Sequence, residues 1–178
     1  MDDVRNIARQ LMSGEENRLH NYIIPGLTSD LLAVTAKGGK MRLFTMERDQ
    51  EYEVAVHDHR YDFSCMVLKG AVKNILYSAT PCDRANASHA MVPYSEHHHS
   101  VDESLAKFVK VTMSNKVYNE GEWYGMSHVD FHRIQFSKGS QVLFIEGPNR
   151  KKESNILLPY QNERICNTFL WADWMMKR

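Results

Sequence analysis

The sequence carries no excess of charge, with 22 Lys and Arg against 22 Asp and Glu over 178 residues. Attraction of nucleic acid by bulk charge is therefore not evident, and no nucleic-acid partner is expected. Paired cysteines are lacking too. Cys65, Cys82 and Cys166 are odd in number and widely spaced, which excludes a disulfide framework and a zinc ribbon and suits reduced thiols in the cytoplasm. There is no run of about 18 apolar residues, so no membrane span is expected. Met1-Asp2-Asp3-Val4-Arg5 lacks the basic-then-apolar pattern of a secretory signal. No internal repeat stands out. What the chain does have is 43% hydrophobic residues and 10% aromatics, enough to fold as a single domain with a real core. It also has nine histidines, and they are clustered.

The apolar pattern changes period along the chain. Val4, Ile7, Ala8, Leu11 and Met12 recur at helical spacing, which predicts a helix from Asp3 to Tyr22, interrupted at Gly14 and ended by Pro25-Gly26. Residues 1–26 are thus read as a helical cap. From 30 to 158 the pattern is that of short strands between turns. The expected strands are Asp30–Ala36, Met41–Met46, Glu51–Val56, Phe63–Leu68, Ala71–Tyr77, Leu105–Met113, Lys116–Tyr118, Trp123–Met126, Phe131–Phe136 and Gln141–Glu146. Tyr52, Val54 and Val56 alternate with Glu51, Glu53 and Ala55, the period of a strand buried on one face. This spacing predicts an all-β sandwich or barrel. Thr80 to Asp102 is polar and reads as a long loop, a lid or a partner-binding segment. Residues 161–178 carry Ile165, Phe169, Leu170, Trp171 and Trp174 at helical spacing and predict a C-terminal helix. Exposed sheet edges and that Trp-rich helix suggest a homodimer.

The chemistry concentrates in Val56-His57-Asp58-His59-Arg60-Tyr61. Residues i and i+2 of a strand share a face, so His57 and His59 point together and make half a metal site. Neutral imidazole suits iron, zinc, copper or nickel. The plainer reading is an exposed pair on an edge strand, which the apolar run Phe63, Met66 and Leu68 next to it disfavours. His132, in Val129-Asp130-Phe131-His132-Arg133-Ile134, is the candidate third ligand; its plainer reading is a satisfied core histidine. His98, within His97-His98-His99, is the alternative third ligand. Consecutive histidines cannot all face one site, and a solvated loop is the default for that run. His128-x-Asp130 lacks a downstream histidine partner and reads as turn chemistry.

On these residues the chain resembles the cupin superfamily. The first cupin motif runs from a glycine through His-x-His and a glutamate to a second glycine. Here His57-x-His59 and the closing Gly70 match, Glu51 replaces the opening glycine, and Phe63 replaces the glutamate. The carboxylate ligand is thereby lost unless Asp62 substitutes for it through a bulge. Gly121 to Ile134 is similar to the second motif, which delivers the remaining histidine. The resemblance covers roughly residues 40 to 150. It implies an antiparallel β-barrel holding one divalent metal ion with His57, His59 and His132. A three-histidine set without the glutamate resembles the thiol dioxygenase branch. That implies Fe(II), with Zn, Ni and Mn as alternatives, and an enzyme acting with O₂ on a small polar or thiol-bearing molecule. By the same resemblance Arg42 and Cys65 would contact substrate, and Tyr61 or Tyr124 would orient the bound species. Two other functions fit the same fold. One is a ligand-binding or sensor cupin without oxygen chemistry; the other is a cupin isomerase or epimerase that works anaerobically with a histidine base.

Overall fold

The structure, a computed structural model, describes residues 17–51, 53–95, 100–101 and 103–166. Its strands in chain order are β1 (Arg18–Leu19), β2 (Leu27–Val34), β3 (Lys40–Met46), β4 (Val56–His57), β5 (Tyr61–Lys69), β6 (Ala71–Pro81) and β7 (His89–Ser95). They continue as β8 (Ser100–Val101), β9 (Lys107–Asn119), β10 (Trp123–Met126), β11 (Phe131–Phe136), β12 (Gln141–Asn149), β13 (Ser154–Gln161) and β14 (Arg164–Ile165). All pairings are antiparallel, in a six-stranded sheet ordered β1-β2-β3-β12-β5-β10 and an eight-stranded sheet ordered β14-β13-β4-β11-β6-β9-β7-β8. The result is the all-β antiparallel barrel that the sequence predicts. Among the described residues no helix is long and apolar enough to cross a membrane.

Register decides which side chains face inward. On β3, β12 and β5 the cross-strand row Phe44, Val142 and Val67 faces the interior. The neighbouring row Leu43, Leu143 and Met66 faces away and packs with Leu32 and Leu68 into a separate apolar layer. The strand β5 is therefore buried on both faces, which accounts for its near-continuous apolar sequence. On the other sheet Val72, Leu76, Ile134 and Phe136 face the same interior. Gly70 makes the β5–β6 turn at φ 73°, and a Cβ there would lie 3.1 Å from the Ser140 backbone, so both conformation and space call for glycine.

Several expectations are corrected. The N-terminal helix is not found where the chain is described, since Arg18–Leu19 is a strand and residues 20–22 are turn or coil; its first part lies outside the described residues. The C-terminal helix fares the same way: Gln161 ends β13 and Arg164–Ile165 is β14, while residues 167–178 lie outside the described ones. The segment from Thr80 is not one long loop. It finishes β6, makes a short 3-10 turn at Arg84–Asn86 and forms β7, which pairs with both β9 and β13. The ring β13-β4-β11-β6-β9-β7 thereby closes on itself around a small core of its own, which includes Ile75, Tyr77, Val109, Phe131 and Leu157. Ala90 and Val92, both fully buried, carry β7 into that structure. Among the described residues of the expected Glu51–Val56 strand, only Val56 is paired as strand, at the start of β4. The two strands expected between 105 and 118 are a single one, β9.

Candidate metal centre

His57 and His132 are direct cross-strand partners on β4 and β11 and face the interior side by side. His59 follows in extended coil, so its orientation needs another cause than a ladder. That cause is Asp58. Its buried carboxylate accepts the Asn155 backbone N–H at 2.7 Å and the Asn155 side-chain amide at 2.8 Å, and pairs with Lys151. With Asp58 pinned to the outer side, the residues before and after it both turn inward. The ring centroids of His57, His59 and His132 lie 4.7–5.0 Å apart, and one nitrogen from each falls within 4.8 Å of the others.

The hydrogen bonds set the tautomers. His57 Nδ1 lies 2.8 Å from the Ala55 carbonyl, and His132 Nδ1 lies 2.8 Å from Asn74 Oδ1. Both partners accept, so both Nδ1 atoms carry the proton and both Nε2 atoms present lone pairs. Asn74 is itself fully buried and aimed by its amide nitrogen, which donates to Met126 Sδ at 3.3 Å. His59 Nε2 and His132 Nε2 are 2.8 Å apart. Two nitrogens each about 2.1 Å from one ion and at right angles to each other would be about 3 Å apart, so this spacing fits a shared ion. Burial pushes the His59 and His132 pKa values well below the usual imidazole range, and mutual repulsion with His57 adds to it. Neutral imidazole is the form that ligates a metal.

Among the described residues no carboxylate joins the group. Asp62 faces the other way and accepts from the His128 backbone at 2.9 Å, His128 Nδ1 at 2.8 Å and Arg150 Nε at 3.1 Å. The His128 backbone and side chain hold its carboxyl well below the ordinary range. Phe63 instead sits edge-on to His59, with centroids 4.7 Å apart, and fills the ground beside it. His98 lies outside the described residues.

The three histidines open onto a partly open interior cavity. Tyr61, Cys65 and Tyr124 line it, as the alternation of β5 and its pairing with β10 require; Cys65 and Tyr124 are direct cross-strand partners. Burial pushes the Cys65 thiol up to about 12 and the Tyr124 phenol well above its usual value, so both keep their protons. Arg42 faces the interior but does not line the cavity. Its guanidinium donates to Ser29 Oγ at 3.1 Å and stacks over the Tyr22 ring at 5.2 Å, and it is Tyr22 that meets the cavity. Asn74 and Asp58 were missed by reading the sequence. A signal for Asn74 existed: it is the one polar side chain in the inward row Val72, Asn74, Leu76.

No protein-family model matches the chain, and no curated protein matches it. Among solved structures it is similar to hydroxypropylphosphonic acid epoxidase from S. wedmorenis at 10% identity and TM-score 0.47, covering 76% of this chain and 58% of that one. It is similar to KdgF from Halomonas sp. at 14% identity and TM-score 0.44, covering 73% and 86%. A cupin-2 domain protein from Shewanella frigidimarina matches at 15% identity and TM-score 0.38, covering 68% and 79%. The chain thus spans under two thirds of the epoxidase's length.

Proposed function

We propose that the protein is a metal-dependent enzyme of cupin type, in which His57, His59 and His132 hold one divalent ion and a small molecule is oxidised with O₂ in the adjoining cavity. Fe(II) is the leading identity for the ion. The observation that carries this reading is the pair of Nδ1 acceptors, the Ala55 carbonyl and Asn74 Oδ1, which leave two lone pairs aimed at the same interior space. A core histidine satisfied for packing alone has no need of a second nitrogen turned toward two other imidazoles. The three imidazoles would hold Fe(II), which would supply the redox chemistry that O₂ activation requires. The chain's own residues bind and shield. Asp58 and Asn74 hold the ligands, the aromatic walls exclude bulk water, and Tyr61 and Tyr124 orient what enters.

The apolar lining also favours a second reading, a ligand-binding barrel that uses the metal only for affinity. Elemental analysis of wild type and His57→Ala, purified without chelator or His-tag, followed by O₂-uptake measurements, tests both. Near-stoichiometric iron lost at least tenfold in the variant, with O₂ consumed on addition of substrate, is the expected result. Metal without O₂ uptake supports the binding barrel. No retention of added Fe(II), Zn(II) or Ni(II) overturns the metal site itself.

A further inference from the structure

The strand β9 leaves part of its edge uncovered. It pairs with β6 without a register shift from Ala71↔Asn119 to Pro81↔Val109, while on its other side β7 covers only Lys107 to Val109. Its backbone groups alternate in direction. The Phe108 C=O accepts from the Cys82 N–H, at the end of β6, whereas the Val109 C=O accepts from the Ser88 N–H, at the start of β7. Odd-numbered residues of β9 therefore turn their N–H and C=O away from β6. Both ends of this open side are capped. The Val111 N–H donates to Ser88 Oγ at 3.0 Å. The Asn119 N–H donates to Glu122 Oε2 at 2.6 Å, and the Asn119 C=O accepts the Glu122 N–H at 3.0 Å. Met113, Asn115 and Val117 remain between the caps, and no described strand pairs with their outward backbone groups.

Proteins usually guard such an edge with charge, proline or a bulge. Here the three edge residues are uncharged and the β6 ladder beside them is unbroken. Lys116 belongs to the alternate face, where its ammonium lies over the Tyr118 ring at 4.6 Å. Met113 and Val117 share the other face and are 69% and 47% exposed. An edge with methionine at one end, valine at the other and asparagine midway is complementary to its own reverse.

We propose that two copies of the protein dimerise by pairing β9 antiparallel with β9 about a two-fold axis at Asn115. Asn115 then opposes the partner's Asn115, and Met113 opposes the partner's Val117 on either side of the axis. Each of these pairs exchanges two N–H···O=C bonds, so every open group of the three edge residues is used. The methionine and valine side chains cover each other. The caps decide the register. Moving the axis by even one residue sets one of the three opposite Val111 or Asn119, whose N–H is already taken. The same register brings Lys110 toward the partner's Glu120, a pairing of opposite charge at both ends of the ribbon. None of the residues at the axis belongs to the metal centre.

Sedimentation velocity on the full chain over a concentration series tests it. Wild type should be a dimer that dissociates on dilution. Asn115→Pro removes an N–H that points away from the β6 ladder, so circular dichroism should be retained while the Kd of the dimer rises at least about tenfold. Asn115→Lys sets like charges opposite each other without constraining the backbone and should weaken the dimer too. Mild oxidation of single-cysteine variants reads the register. In Asn115→Cys the paired Cα atoms would lie about 5.5 Å apart and should link covalently beyond the wild-type level. In Met113→Cys they would lie about 14 Å apart and should not. A wild type that stays monomeric, its edge open to a strand of another protein, overturns the proposal. So does a dimer whose Kd is unchanged in Asn115→Lys, or one that links through Met113→Cys.

Discussion

Substituting Asn74 probes the metal centre without touching a ligand. Asn74→Leu keeps approximate size and removes both polar atoms. The His132 Nδ1 proton, bonded at 2.8 Å and wholly inside the barrel, then has no acceptor. Leaving such a donor unpaired costs about 1–3 kcal/mol of stability. The imidazole also loses the contact that fixes its tautomer and ring plane, and loss of such an outer partner lowers metal affinity about 10- to 100-fold. That corresponds to about 1.4–2.7 kcal/mol of binding free energy. Asn74→Asp separates the two effects. It restores an acceptor, so metal affinity should stay within about threefold of wild type. In the metal-free state it leaves a carboxylate buried against Met126, so its apo Tm should fall below that of Asn74→Leu. Competition against a zinc chelator, with Tm measured before and after loading, reads both quantities. An Asn74→Leu affinity within twofold of wild type would refute the assignment of Asn74 as the residue that orients His132.

Two other outcomes follow from the same geometry. Asp58→Ala strips a nearly fully buried carboxylate from Lys151 and Asn155; urea denaturation should show a loss of about 3–5 kcal/mol, and a loss below about 1 kcal/mol would remove Asp58 as the clamp that turns both flanking histidines inward. The His59 and His132 pKa values lie below the unfolded value in the fold, so the unfolded chain takes up protons that the folded chain refuses. Chelated protein should therefore lose stability as pH falls through the unfolded imidazole value, by at most about 2.7 kcal/mol per pH unit for two protons. Denaturant midpoints at pH 7.5, 6 and 5 measure it. A flat profile for wild type, or one that His59→Gln leaves unchanged, contradicts the burial argument.

The sequence alone determined the local periodicities and the residue chemistry. Runs of strand character bounded by the turns at Gly121 and Lys138-Gly139 specified the strands at 123–126 and 131–136 at the observed bounds. The His57-x-His59 spacing put two imidazoles on one side of the chain before any tertiary contact was known, because alternation is a property of extended backbone. Short apolar runs were harder. Ile156-Leu157-Leu158 has no period to read, so β13 went unseen, although it pairs with β4, β7 and β14. The polar stretch after Thr80 concealed β7, whose place is set by closure of a ring and not by its own composition.

Only the tertiary structure could decide how distant segments meet. That His132 lies opposite His57 is a matter of register between strands more than seventy residues apart, and Asn74 reaches His132 because β6 runs beside β11. The placing of Arg42 behind Tyr22, and of Asp62 on His128 and Arg150, likewise depends on which partners long-range pairing supplies. Local sequence carries propensity and the face on which a side chain sits. Whether that face meets a metal, a wall or a counter-charge is decided by contacts that form only when the sheets close.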